Sequence, residues 1–130
     1  LEQGVELVWK AFDDMIGGEI YVKKIPSMKI VDIANVIAPN ANQKIIGIRP
    51  GEKLHEQMIS TEDSYSTYEY SDYFKILPQI NEWGKDAKRI KDGKKVSEGF
   101  VYSSDLNSEW MSKDNLQSWI NKNLNFIGKI

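Results

Sequence analysis

Arg49 and Glu52 stand three residues apart around Pro50-Gly51, directly after the apolar run Ile45-Ile46-Gly47-Ile48. A planar guanidinium can hold phosphate oxygens through two parallel hydrogen bonds. A carboxylate can accept hydrogen bonds from the paired hydroxyls of a sugar. Pro50 biases Arg49 toward extended backbone, and Gly51 permits a sharp bend. Placed on one turn, the two side chains suit a ligand that carries both phosphate and hydroxyl groups. On composition alone, a charged surface turn is the preferred reading of the same four residues.

Other chemistries are excluded by what the chain lacks. No glycine-rich dinucleotide fingerprint occurs, and the only glycine pair, Gly17-Gly18, follows a helical pattern rather than opening one. No tyrosine is followed four residues later by lysine. The chain has no cysteine and one histidine, His55, which excludes thiol chemistry and leaves almost nothing for a Cys/His zinc site. No G-x-S-x-G elbow accompanies that histidine. Catalytic, cofactor-binding and metal-ligating residues are therefore not expected in this chain.

Its 130 residues predict one globular domain over 1–130 with a single core. A net charge of −2 gives no general pull toward nucleic acid or acidic lipid. No apolar run is long enough to span a bilayer, and no signal peptide opens the chain. Lack of cysteine fits a reducing, cytoplasmic setting. A chain opening without methionine reads as a piece of something longer.

The elements expected to position the turn follow from periodicity. Leu1, Val5, Val8, Phe12 and Met15 form one helical apolar stripe, closed by Gly17-Gly18. Glu19 to Val22 reads as a strand. Ser27 is the expected cap of a second helix whose buried face is Ile30, Ile33, Ala34 and Ile37, ending at Pro39-Asn40. Lys44 to Ile48 reads as the next strand. This helix–strand alternation predicts an α/β layer architecture. Leu54 to Ile59 fits a short helix or a strand. Ser60 to Ser64 fits a loop or one helical turn, and the second half of Tyr68 to Leu77 reads as a strand. Residues 79–99, low in apolar side chains and rich in lysine, predict a solvated excursion. Phe100 to Ser103 predicts a strand. Ser112 is the expected cap of a last helix with Leu116, Trp119 and Ile120 inward, and 121–130 a fraying tail.

Four segments, GGEIYVKKIPSMKIVDIANVIAP, IIGIRPGEKLHEQMIS, YSDYFKILP and FVYSSDLNSEWMS, occur in this order. They closely resemble the C-terminal part of the UDP-N-acetylglucosamine 4,6-dehydratases, the inverting flagellin-glycosylation type best of all. These are extended short-chain dehydrogenases/reductases. The resemblance runs from Leu1 to about Ile120, and only Glu82 to Ser97 departs from the family pattern. It implies a small mixed α/β substrate-binding domain, the C-terminal portion of such an enzyme without its Rossmann domain. It implies Arg49 on the UDP diphosphate and Glu52 on the uridine ribose. It also implies NADP or NAD in the parent enzyme, with none bound by this chain alone. The expected partners are a UDP-sugar, the missing Rossmann domain and further copies of the chain, with no nucleic acid and no membrane. Retaining dehydratases and 5-epimerase relatives remain open alternatives.

Bland readings are preferred elsewhere. His55 is expected to be structural, and Lys53 a solvated neighbour of the turn. Ser27, Met28 and Lys29 are explained by helix entry. Ser103, Ser104, Asp105 and Asn107 are expected to shape a polar turn before Trp110. The tyrosines at 65, 68, 70 and 73 read as half-buried sheet residues. Two rival functions stand beside the enzyme fragment. One is a stand-alone, non-catalytic UDP-sugar-binding module. The other is a nucleic-acid-binding module built on Lys85 to Lys95 with Trp83, which Asp86 and Asp92 weaken.

Overall fold

The computed structural model describes residues 2–80 and 86–127. In chain order the elements are α1 (Glu2–Asp14), β1 (Ile20–Lys23), α2 (Ile30–Ile37), β2 (Gln57–Ile59), β3 (Thr67–Glu69) and β4 (Tyr73–Ile76). They continue with α3 (Ala87–Ile90), β5 (Lys94–Lys95), β6 (Tyr102–Ser103) and α4 (Lys113–Ile127). The fold is small and mixed α/β, in two compact units. The first comprises Leu1–Ile25 and Gln57–Ser103, the second Pro26–Glu56 and Ser104–Ile130.

The first unit is built on an antiparallel sheet of order β1-β4-β3-β5. Strand β1 pairs Ile20 with Ile76 and Lys23 with Tyr73, and β3 and β4 form a hairpin with Thr67 opposite Ile76. A second, two-stranded ladder joins β2 to β6 through a register shift between Gln57 and Ile59. Both halves of the aromatic run 68–77 are thus strands, not only the second. Val22, Ile59, Phe74, Ile76 and Tyr102 form the core, with Val96 and Phe100 packed against it. The Phe74 ring lies 5.3 Å from Phe100 and 5.0 Å from Tyr102, both tilted. Buried Tyr102 satisfies its hydroxyl on the Ile25 backbone, accepting from N–H at 2.8 Å and donating to the carbonyl at 3.0 Å. Tyr68 and Tyr73 are buried strand residues and Tyr70 is half-buried in the hairpin turn, whereas Tyr65 is exposed.

In the second unit α2 packs against α4, with Lys113 Nζ 3.2 Å from Asp32 Oδ1. Ser112 caps α4 as its sequence predicts, accepting from Asn115 N–H at 3.2 Å. Leu116 and Ile120 are buried one helical turn apart.

Several expectations are corrected. The apolar stripe of α1 does not face the core: none of the helix's described side chains is buried. Ser27 does not cap α2, which starts from Lys29 without a side-chain cap. Ser27 is instead buried in a bridge to Trp110, its backbone N–H donating to Glu109 O at 2.8 Å. Ile30 and Ile37 are exposed rather than inward, as is Trp119. Residues 44–48 form no strand: Gly47 takes φ +80°, outside strand geometry, and no described strand pairs with the segment. The excursion over 79–99 is not simply solvated, because it carries α3 and β5 and buries Arg89. The fraying tail is helical to Ile127, α4 continuing through it. Trp83, Lys85 and residues 128–130, on which other expectations fell, lie outside the described residues, as does Leu1.

Candidate functional site

Arg49, Pro50, Gly51 and Glu52 close a tight turn. The Glu52 N–H donates to the Arg49 carbonyl at 3.0 Å, and Gly51 takes φ +85°. Proline second and a left-handed glycine third are the requirements of a type II turn. The space at Gly51 is open, so the demand for glycine comes from the backbone angle alone.

This geometry folds the Glu52 carboxylate back onto Arg49. One oxygen accepts from Arg49 Nε at 2.7 Å and the other from the Arg49 backbone N–H at 2.8 Å. The structure therefore brings the two sequence-predicted site residues together, in direct contact. The pair is exposed, with the Arg49 side chain 76% accessible, so its own contribution to stability is small. Its consequence is orientation. A guanidinium has five N–H donors, and the contact with Glu52 uses the single one on Nε. The two terminal amino groups, the edge that matches a phosphate, lie beyond that contact. Each Glu52 oxygen keeps a second lone pair for a hydroxyl donor. Lys53, His55 and Leu54 follow on the same exposed segment.

The polar turn before Trp110 is shaped by its own bonds. Asn107 donates to Ser27 Oγ at 3.1 Å, its carbonyl accepts from the Trp110 indole at 2.8 Å, and its side-chain oxygen accepts from Glu109 N–H at 3.0 Å. Ser104 N–H donates to Glu56 O at 2.8 Å and its hydroxyl accepts from Glu56 N–H at 3.1 Å. Among the described residues no group of three or more His, Asp or Glu side chains is arranged to hold a metal ion. No helix among them is long and apolar enough to cross a membrane.

Sequence reasoning missed a second constellation, in the first unit. Lys75 is almost fully buried and ion-pairs with Asp14, while its Nζ donates to Arg89 O at 2.8 Å. Asp14 also accepts from Tyr21 OH at 2.7 Å and from Lys91 Nζ at 2.5 Å. Buried Arg89 donates from Nη1 to Glu19 Oε1 at 2.5 Å and to Gly17 O at 2.8 Å. Tyr70 and Tyr73 stack at 4.5 Å, and Tyr21 and Tyr73 at 5.7 Å, around the Lys75 ammonium. The available signal was a lysine inside the apolar strand run Tyr73-Phe74-Lys75-Ile76. Such a cation must find a carboxylate when buried.

The charges of this cluster respond to their neighbours. Burial works to raise the Asp14 carboxyl, but hydrogen bonds from Lys75, Lys91 and Tyr21 outweigh it and hold the group at about 2. Burial likewise opposes the Glu19 carboxylate, and backbone N–H donors with Arg89 bring it below its ordinary value. Burial and the Asp14 charge push the Tyr21 hydroxyl far upward. Burial and the Asp14 and Asp72 charges raise that of Tyr73 to about 12. The Lys23 ammonium, more than any other neighbour, lowers Asp72 to about 2.

An acid limb follows. Asp14 and Asp72 lie below their ordinary 3.8 when folded, so the unfolded chain binds more protons at both positions. Their stabilisation is present above that value and is lost as the pH falls through the window from 3.8 to about 2. Tyrosine near-UV circular dichroism of the folded chain is expected to collapse across that window. Asp14→Asn is expected to flatten the transition; an identical titration of the variant would contradict the assignment.

A family model described as a polysaccharide biosynthesis protein matches residues 1–78. The chain is 51% identical over 127 residues to the UDP-N-acetylglucosamine 4,6-dehydratase (inverting) of Campylobacter jejuni serotype O:2, covering 93% of this chain and 38% of that protein. It is 50% identical, with the same coverage, to the corresponding protein of Campylobacter jejuni serotype O:23/36. The chain therefore spans well under half the length of these relatives. The fold matches Pen from Bacillus thuringiensis with a TM-score of 0.76 at 24% identity, over 94% of this chain and 36% of that one.

Proposed function

This chain belongs to the polysaccharide biosynthesis protein family, within the extended short-chain dehydrogenases/reductases, and on that premise we propose that it is the nucleotide-sugar-binding portion of a UDP-N-acetylglucosamine 4,6-dehydratase. The observation that carries this reading is the Arg49–Glu52 turn, with its carboxylate-braced guanidinium. Arg49 holds the UDP diphosphate through its terminal amino groups. Glu52 fixes the plane of that guanidinium and accepts ribose hydroxyls on its remaining lone pairs.

The residues of this chain do not fit a nicotinamide site: they contain neither the glycine-rich turn nor a Tyr/Lys pair at a spacing of four. NADP or NAD, bound by the rest of the parent enzyme, supplies the hydride chemistry. The role of this portion is binding energy remote from the reacting carbons. Gripping the diphosphate and ribose places the hexose for reaction, so loss of that grip lowers turnover as well as affinity. The product class is a 4-keto-6-deoxy sugar with inverted configuration at C5, used in glycan assembly such as flagellin glycosylation in the cytoplasm. The missing Rossmann half and a homo-oligomeric partner are the expected occupants of the apolar surface left exposed. The chain alone is inactive. The nucleic-acid reading loses ground because Arg89 and Lys91 spend their charge inside the first unit.

Titrating UDP into the full-length parent and its Arg49→Ala variant tests the proposal. The expected loss is about 1.5–3 kcal/mol, roughly 10- to 150-fold in affinity, the scale of a hydrogen bond to a charged group. Unchanged affinity would overturn it. Tight, saturable UDP binding by the 130-residue chain on its own would favour the stand-alone module instead.

A further inference from the structure

Helix α1 lies against β1 without burying a described side chain. Its half-buried face is Leu7, Ala11 and Asp14, while Val5, Val8, Trp9 and Phe12 are 47%, 52%, 66% and 66% exposed. Apolar burial is the usual force that docks an amphipathic helix; here the apolar stripe points the other way. A helix of 13 residues is also marginal on its own in water. Something else must fix it.

The contacts at the C-terminal end of α1 are polar: Lys75 and Tyr21 hold Asp14 from the sheet, and residues 86–95 add two further cations. Lys91 Nζ reaches Asp14, the last residue of the helix, at 2.5 Å. Arg89 holds the residues just beyond it, through Gly17 O at 2.8 Å and Glu19 Oε1 at 2.5 Å. Residues 86–95, which supply both cations, are themselves moored to the sheet. Tyr70 OH donates to Ile90 O at 2.5 Å and Lys75 Nζ to Arg89 O at 2.8 Å, while β5 pairs with β3. Gly93 passes so close to Tyr70 that a Cβ there would lie 2.5 Å from the phenol.

We propose that residues 86–95 are a strap that, through Arg89 and Lys91, reinforces the Lys75–Asp14 and Lys10–Asp72 pairs in pinning α1 to the sheet, so that ion pairs rather than apolar burial set the helix's position and leave its apolar stripe facing outward. Arg89 and Lys91 are positioning residues. Releasing the strap frees α1 as a unit, separately from global unfolding.

Amide hydrogen exchange of the 130-residue chain tests this. Lys91→Met is the informative variant, because that side chain is half exposed and its loss does not open the core. Exchange within α1 is expected to speed up roughly ten-fold, while β4 amides keep their protection. Arg89→Met is expected to act in the same direction and Arg89→Lys to restore part of the protection. Unchanged α1 exchange in Lys91→Met overturns the proposal. So does a loss shared equally by α1 and β4, which would mark a general loss of stability with no strap function.

Discussion

Replacing Lys75 by methionine is expected to destabilise the first unit by about 3–5 kcal/mol, the usual cost of breaking a buried ion pair from one side. Lys75 is 1% exposed, so its ammonium has exchanged water for Asp14, the Arg89 carbonyl and the faces of Tyr21 and Tyr70. Methionine fills much the same volume but donates nothing. Asp14 then keeps Lys91 and Tyr21 as partners, while the Arg89 carbonyl loses a donor inside the unit. The decisive measurement is a double-mutant cycle. Asp14→Leu with Lys75→Met removes both charges, and the pair is expected to recover much of the single-variant loss. Chemical denaturation followed by tyrosine circular dichroism reads the cycle. Additive losses would mean that the two charges do not act on each other in the folded state.

Ile59→Ala is expected to cost about 2–5 kcal/mol through lost burial and the cavity left behind, and Ile59→Val only about 0.5–1.5 kcal/mol. Ile59 has 0% exposure and packs with Val22, Phe74, Ile76 and Tyr102, where the two ladders of the first unit share one core. Its strand is only three residues long and already carries a register shift, so neighbouring hydrogen bonds offer little compensation. The graded series is the check: a loss that does not grow with the volume deleted would place Ile59 outside the packed centre. Position 59 is a sharper probe than 76, whose strand is paired on both sides.

Much of the fold was legible in the chain. The spacing of apolar residues located α1, α2 and α4, and Gly17-Gly18 and Ser112 marked two of their ends, because caps and stops act within a few bonds of themselves. The Arg-Pro-Gly-Glu turn was legible for the same reason: proline and glycine dictate backbone angles locally. That Glu52 would brace Arg49, and not merely sit beside it, required the turn to be built. Residues 44–48 misled because β-branched composition describes what a strand tolerates, while a strand also needs a ladder partner and Gly47 bends the segment out of register. Residues 79–99 misled because charge density was read as solvation. An arginine can equally be drawn inward when a carboxylate from a distant segment waits there, as Glu19 does for Arg89.

By itself, the sequence determined the helices α1, α2 and α4, the turn that carries the candidate ligand groups, the lack of thiol chemistry and of a nicotinamide fingerprint, and membership of a family. Those properties reside in neighbouring residues or in a linear order of motifs. Only the tertiary structure decided which way the stripe of α1 faces, that Ser27 serves a bridge rather than a cap, and that two ion pairs, Asp14–Lys75 and Glu19–Arg89, each closing more than fifty residues of sequence, share one buried network. Amphipathicity specifies that a face is apolar without specifying what meets it. A charge reveals whether it is paired only when the chain has closed and the dielectric around it has been set.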